Sequence, residues 1–356
     1  MIETKEVTVE VINHIGIIKL NRKNALNALS LTMIEKISHY ISLWENDPMI
    51  YAIYIKSILD NVFCAGGDVK SLYLNDEQYK DEYLAKQYLM DYHLHTYKKP
   101  VISFLDGITF GGGVGLGLSA SHVIVSKKVR FAMPETKIGF FPDVGTSRLL
   151  NDLPYHIGYY LGLLGIELDY KDLHYLNLIK YVIDSNMQED FEKDLYTNRF
   201  NQATVVTQID EVLLKYQLEH IDESYLKGIE HDIDSIFSKS TIKKMYDALG
   251  HNDWEQEVKN IFDAQSPTAL YVTLELLKQT RDKNLYDCFK MEHDLSKNVT
   301  KTHDFKEGVR SLLIDKDKRF LYQPKHISDV DHRSIEKLFD FSNFEKLHLM
   351  DKLRGF

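Results

Sequence analysis

The run Phe110-Gly111-Gly112-Gly113-Val114-Gly115-Leu116-Gly117 constrains the chain more than any other segment, because a stretch so poor in side chains suits few places in a fold. From Ile108 to Val125 there is no charged side chain apart from a titratable His122, and the length approaches that of a membrane span. Five glycines, with Thr109, Ser119 and Ser121, divide the stretch instead into strand, turn, helix and strand. A glycine-rich turn from strand to helix has two uses: close packing of the helix, or N–H donors left free for a developing oxyanion. The stretch Gly115-Leu-Gly117-Leu-Ser-Ala120 matches the GxGxxA dinucleotide fingerprint, but it falls inside the expected helix and not at its entry. A dinucleotide site is therefore not supported.

Strands and helices alternate around this run. Val7–Val11 and Ile15–Leu20 read as strands around an Asn13-His14 turn, and Tyr51–Ser57 and Val101–Leu105 are further β-rich runs. Between them Leu31, Ile34, Ile37, Ile41 and Trp44 recur at helical spacing after Ser30 as cap, and Asp47-Pro48 ends that helix. From about residue 190 the strand signal fades. Ile242, Met245, Tyr246 and Leu249 form a helical stripe that stops at Gly250, and Ser266-Pro267 opens a helix that buries Leu270, Leu274 and Leu277. Asp304 with Glu307 has the spacing of a capping box for a helix running through Ile314. These patterns predict an α/β part over residues 1–190 and a helical part over 191–356.

Composition narrows the class. With 356 residues and 44% hydrophobic content the chain can bury a sizeable core over about two domains. A formal net charge of −10 argues against nucleic acid as a partner, and an anionic ligand would have to be met by local cations and main-chain donors. Cys64 and Cys288 have no paired spacing, so neither a disulfide nor a zinc site is expected; a reducing cytoplasm fits, and the opening Met1-Ile-Glu-Thr-Lys-Glu has no signal-like apolar run.

Chemistry-bearing residues fall in three segments. Asn61–Asp68 comes after a strand, with Gly66 and Gly67 able to turn the backbone sharply and leave an N–H free, and Asp68 able to cap the next helix. Cys64 in that segment lacks a visible histidine partner and reads as a small buried thiol. The glycine run supplies the second. In the third, Phe131-Ala-Met-Pro-Glu135-Thr-Lys-Ile-Gly-Phe-Phe-Pro-Asp143, two carboxylates stand eight residues apart on a segment broken by Pro134, Gly139 and Pro142. Carboxylates together with free N–H donors are what acyl chemistry at a carbonyl needs. His93-Leu-His95 is set aside, since helical residues two apart do not share a face.

Together these segments resemble the crotonase, or enoyl-CoA hydratase/isomerase, superfamily. The matching residues are Asn21-Arg22 with Ala25-Leu26-Asn27-Ala28-Leu29, Phe63-Cys-Ala-Gly-Gly-Asp68, Lys99-Pro100-Val-Ile, Asp106-Gly107 and Gly111 to Gly113. Within the superfamily, the branch that hydrolyses 3-hydroxyisobutyryl-CoA is the most similar. That match is carried by Gly111-Gly-Gly-Val-Gly115-Leu, Phe131-Ala-Met-Pro-Glu135-Thr, Gly139-Phe-Phe-Pro-Asp143-Val-Gly145, Ser266-Pro267-Thr268, Met291-Glu292, and His303 to Arg310 through Ile314-Asp-Lys-Asp317. The resemblance implies a spiral of ββα units followed by a C-terminal helical region. It further implies an oxyanion hole from the Gly67 and Gly112 amides, catalytic carboxylates at Glu135 and Asp143, and contacts to CoA from Asn21, Ala25, Leu26, Ala65, Gly66, Asp68 and Lys316. No metal or separate cofactor is implied, because CoA arrives with the substrate; nor is a membrane partner, while a trimeric or hexameric homo-oligomer is.

One position separates the branches. Hydratases of the family carry a second glutamate two residues past the glycine triplet, where this chain has Gly115, and Asp143 supplies a carboxylate where hydratases generally have a small residue. The expected reaction is therefore hydrolysis of a short branched 3-hydroxyacyl-CoA, as in valine degradation, with ionised Glu135 acting as base or nucleophile. An enoyl-CoA hydratase or isomerase and a silent acyl-CoA-binding protein are the alternatives. After Asp143-Val-Gly145 the chain departs from the hydrolase pattern with Thr146-Ser147-Arg148, which leaves Arg148 either in the acyl pocket or turned outward.

Overall fold

In the computed structural model, which describes residues 4–342, runs of β-branched and aromatic residues build two sheets. Nine strands are formed: β1 (Val7–Ile12), β2 (Ile15–Leu20), β3 (Ala52–Ser57), β4 (Val62–Cys64), β5 (Val101–Leu105), β6 (Ile108–Phe110), β7 (His122–Val125), β8 (Arg130–Ala132) and β9 (Tyr181–Val182). The larger sheet has the order β1-β2-β3-β5-β7-β9 and the smaller β4-β6-β8. Only β1 and β2 are antiparallel. Their two-residue turn, Asn13-His14, takes positive φ at both positions, as tight hairpins of this kind require. From β3 on, successive strands enter the two sheets in turn, so each passage of the chain adds one strand to each. This is the spiral of ββα units that the motifs implied.

Among the described residues four α-helices lie between β2 and β7: α1 (Leu31–Glu45), α2 (Val69–Leu74), α3 (Glu77–His95) and α4 (Gly112–Leu118). The Ser30 side chain accepts from the Met33 amide and starts α1, which buries Met33, Ile34, Ile37, Ile41 and Trp44 and ends at Asn46. The charge-poor stretch from Ile108 resolves into β6, α4 and β7, and among the described residues no helix is long and apolar enough to cross a membrane.

Register places a continuous apolar face on the larger sheet, since Ile17 lies opposite Tyr54, Tyr54 opposite Ile102, Phe104 opposite Ile124 and Ile124 opposite Tyr181. Phe191 and Leu195 of the helix Gln188–Thr197, with Val205, Ile209 and Leu213 of the helix Val205–Tyr216, bury this face. Strands stop near residue 190, but the sheet's core continues to be built after it.

The chain forms two compact units. One, holding both sheets, comprises the chain up to Asp68, Met90–Ala132 and Glu167–Gly228; the other comprises Val69–Leu89, Met133–Ile166 and the chain from Ile229 on. Within the second, Ser266 accepts from the Ala269 amide and Pro267 opens the helix Pro267–Thr280, which buries Leu270, Leu274 and Leu277. The expected capping box at Asp304 and Glu307 is not formed. Thr302 caps the helix His303–Val309, Asp304 accepts from Ser266 Oγ and the Gln323 amide, and Glu307 pairs with Arg310. Distant partners claim Asp304 and the neighbouring Arg310 claims Glu307, and a π turn over Arg310–Ile314 replaces the helix's expected end. Residues 343–356 of the expected helical region, like residues 1–3, lie outside the described residues.

Candidate active site

The candidate N–H donors belong to the unit with the sheets. After β4 the chain turns at Gly66, whose φ of +117° a side chain would strain, and a Cβ there would lie 3.3 Å from the Phe110 carbonyl oxygen and 3.8 Å from the Gly112 nitrogen. The turn is locked by its neighbours: the Leu29 amide donates to the Gly66 carbonyl and the Asp68 amide to the Leu29 carbonyl, both within 3.1 Å. In this parallel bridge the amide of Gly67 itself points away from Leu29. Gly112, the first residue of α4, likewise has an amide with no acceptor inside its own helix. Two adjacent turns thus present unspent N–H groups. Close packing explains a different glycine of the run, since a Cβ at Gly113 would come within 2.3 Å of the Cys64 carbonyl oxygen. Close packing, one of the two uses expected of the run, is therefore found at Gly113.

Six of the expected CoA contacts gather at this turn. The loop Asn21–Leu29 lies along it, with the Ala65 amide donating to the Leu26 carbonyl and Arg22 Nη2 to Asp68 Oδ2 at 2.8 Å. Asn27 holds the loop shut by donating to Ser57 Oγ and the Phe63 carbonyl. Leu26 is left exposed and in the left-handed region. Lys316 is also exposed but belongs to the other unit. Cys64 is buried, its thiol donates to the Asn27 carbonyl, and burial pushes it up to about 12, which fits an inert thiol.

The candidate acids lie in the second unit. Glu135 opens a 3-10 turn, Glu135–Ile138, pinned where the Ser266 amide donates to the Thr136 carbonyl and the Tyr322 hydroxyl to that of Lys137. Glu135 is 8% exposed and its Oε2 is buried, without a hydrogen-bond partner among the described residues. Burial, helped by the charge of Asp143, holds its carboxyl well above the usual range. Asp143, 7% exposed, accepts from the Tyr88 hydroxyl of α3 at 2.8 Å; burial pushes it up to about 7 against that bond.

A third buried carboxylate completes the cluster. Glu292, on the helix Leu285–Val299, accepts from the Gly145 amide at 2.6 Å and from both the amide and hydroxyl of Ser147. Burial, which outweighs those donors, pushes it up to about 8. The rings of Phe289 and His293 meet that of Tyr88 edge-on, walling the cluster with aromatic surface. Sequence reading assigned no role to Tyr88, Ser147 or Glu292; the Met291-Glu292 motif was the one available signal. Arg148 turns outward: its guanidinium bonds Asp152 and the Lys283 carbonyl, so it does not enter the acidic cluster. Among the described residues no three His, Cys, Asp or Glu side chains converge to hold a metal.

The chain is similar to known proteins. The family model described as enoyl-CoA hydratase/isomerase matches residues 15–339. The chain is 34% identical over 331 residues to a mitochondrial 3-hydroxyisobutyryl-CoA hydrolase of Xenopus laevis, covering 91% of this chain and 86% of that one. It is 33% identical to the Homo sapiens protein of the same name, covering 94% and 88%. Among solved structures it is similar to a carnitinyl-CoA dehydratase from Mycobacterium thermoresistibile, with a TM-score of 0.86, 27% identity and 94% and 96% of the two chains covered. An enoyl-CoA hydratase from Rhodobacter sphaeroides gives 0.85, 26%, and 94% and 97%.

Proposed function

Because the chain belongs to the enoyl-CoA hydratase/isomerase family of enzymes, we propose that it hydrolyses a short branched 3-hydroxyacyl-CoA, with 3-hydroxyisobutyryl-CoA as substrate and 3-hydroxyisobutyrate and CoA as products. The observation that carries this reading is the placing of the acids: α4 has glycine at 115, and the second acid is Asp143, buried beside Glu135. In this reading the Gly67 and Gly112 amides grip the thioester oxygen as negative charge develops on it, a term of about 3 kcal/mol per donor. Glu135 activates water or attacks the carbonyl itself, and Asp143, held by Tyr88, binds the substrate hydroxyl and passes the proton that leaves with the thiol. CoA lies along Asn21, Ala25, Leu26, Ala65, Gly66 and Asp68, with Lys316 at its phosphates, and no other cofactor takes part.

Hydration of an enoyl-CoA is the second reading, favoured by the likeness to the solved dehydratase and hydratase. One assay separates the two: a panel of short acyl-CoAs is followed for thiol release and for enoyl absorbance. Thiol from 3-hydroxyisobutyryl-CoA is expected; loss of enoyl absorbance without thiol overturns the hydrolase. Because Glu135 and Asp143 are both held above their usual range, activity falls as pH is lowered and these carboxyls take up protons, which a pH–rate profile checks. A place in valine degradation, a cytoplasmic location and a trimeric or hexameric assembly belong to the same proposal. The relatives named above are mitochondrial proteins, so fractionation and light scattering test the last two directly.

A further inference from the structure

Asp143 stands at the start of an unusual turn. The next residue, Val144, is β-branched yet has φ +54°, and Gly145 comes after it at +85°. A β-branched residue in the left-handed region is an outlier that persists only where its surroundings over-determine it. Here the surroundings can be named. The Asp143 carbonyl accepts from the amide and hydroxyl of Thr146, while the Gly145 amide, the Ser147 amide and the Ser147 hydroxyl all donate to one side chain, Glu292. Glu292 is fully buried and reaches this turn from a helix that starts 142 residues after Asp143. Its two oxygens divide the donors, Oε2 taking Gly145 and Oε1 taking Ser147.

We infer that Glu292 is a positioning residue for Asp143: its carboxylate clamps the strained turn Val144–Ser147 and so aims the acid that Tyr88 holds from the other end. The inference rests on the hydrolase reading for the role of Asp143, and on the geometry of the turn alone for the clamp. Glu292 is the acceptor of both amides, and a buried amide left without one is costly. Glutamine is the sharpest probe, since it keeps the length but turns one of the two acceptors into a donor facing an N–H.

The test is a double-mutant cycle on kcat and KM with 3-hydroxyisobutyryl-CoA. Glu292→Gln should lower kcat by about 10- to 100-fold, the range expected when a buried charge-assisted contact is broken, with KM changed little. In an Asp143→Asn background the same substitution should cost almost nothing further, because what it positions is already gone. Equal losses in both backgrounds, or wild-type kcat in Glu292→Gln, overturn the inference. If Glu292→Gln does not fold, Ser147→Ala removes one donor only; a kcat loss of about three- to tenfold that vanishes beside Asp143→Asn supports the clamp, and an undiminished kcat sinks it. Should wild type hydrate enoyl-CoA and release no thiol, the hydrolase reading fails alone and the same cycle is read on hydration. Amide exchange needs no turnover: faster exchange at Gly145 and Ser147 in Glu292→Gln is expected, and unchanged rates refute the clamp.

Discussion

The donor turn and the acidic cluster are made in opposite ways. Around Gly67 and Gly112 the chemistry is main-chain, and every group that matters lies within a few residues of a glycine, fastened by main-chain bonds to Leu26 and Leu29 and set close to the Phe110 carbonyl. In the other unit Glu135, Asp143 and Glu292 are ordinary side chains made unusual by where they are buried, with Tyr88 and Ser147 as the partners of two of them. A backbone site is disturbed by adding atoms; a buried ionic site is disturbed by changing charge without changing shape. The two regions should therefore fail under different substitutions.

The largest effect is expected from Glu135→Gln, which is isosteric and removes only the ionisable oxygen. Turnover should fall by about 10³-fold or more while CoA binding by calorimetry stays within a factor of about two. A wild-type rate would remove Glu135 from the chemistry. In the donor region, Gly113→Ala pushes a Cβ into the Cys64 carbonyl, so α4 must move. We expect kcat to fall by about 10²-fold, as for a lost oxyanion donor, together with a lower melting temperature. Activity lost without any loss of stability would break the contrast between the regions.

Asp143→Asn should do the reverse, lowering kcat by about 10²-fold while raising the melting temperature. The sign comes from the titration: a carboxyl raised from 3.8 to about 7 by folding gives stability that is complete below pH 3.8 and is lost as pH rises through 7. Asparagine has no such loss, so its advantage should be about 2–4 °C at pH 8 and smaller at pH 5. A melting temperature that falls more at pH 8 than at pH 5 would mean that the Asp143 charge is better satisfied than its burial implies. The smallest effect belongs to Arg148→Ala. Its ion pair with Asp152 is exposed and outside the cluster, so kcat and KM should stay within about twofold, and a changed preference among acyl-CoAs would place the side chain at the substrate after all.

How much could be read in advance differs between the regions for the same reason. Strand β2, the helix α1 with its Ser30 cap, and the strand, helix and strand of the glycine run were legible because hydrophobic period, caps and glycines act over a few residues. Strands β4 and β8 were not, being three residues long and held in place by pairing with β6. Asp304 and Glu307 show the limit from the other side: their spacing fits a cap, yet Ser266, Gln323 and Arg310 take them.

Sequence by itself determined the fold class and the family motifs, since each is written in local pattern or in motifs of fixed order. Only the tertiary structure decided that Arg148 faces out, that Ser147 faces in, and that Glu292 and Tyr88 bear on Asp143. The physical reason is burial. A carboxylate's solvation and proton affinity depend on what chain folding brings around it, and those neighbours come from positions 55 residues before Asp143 and 147 residues after Gly145.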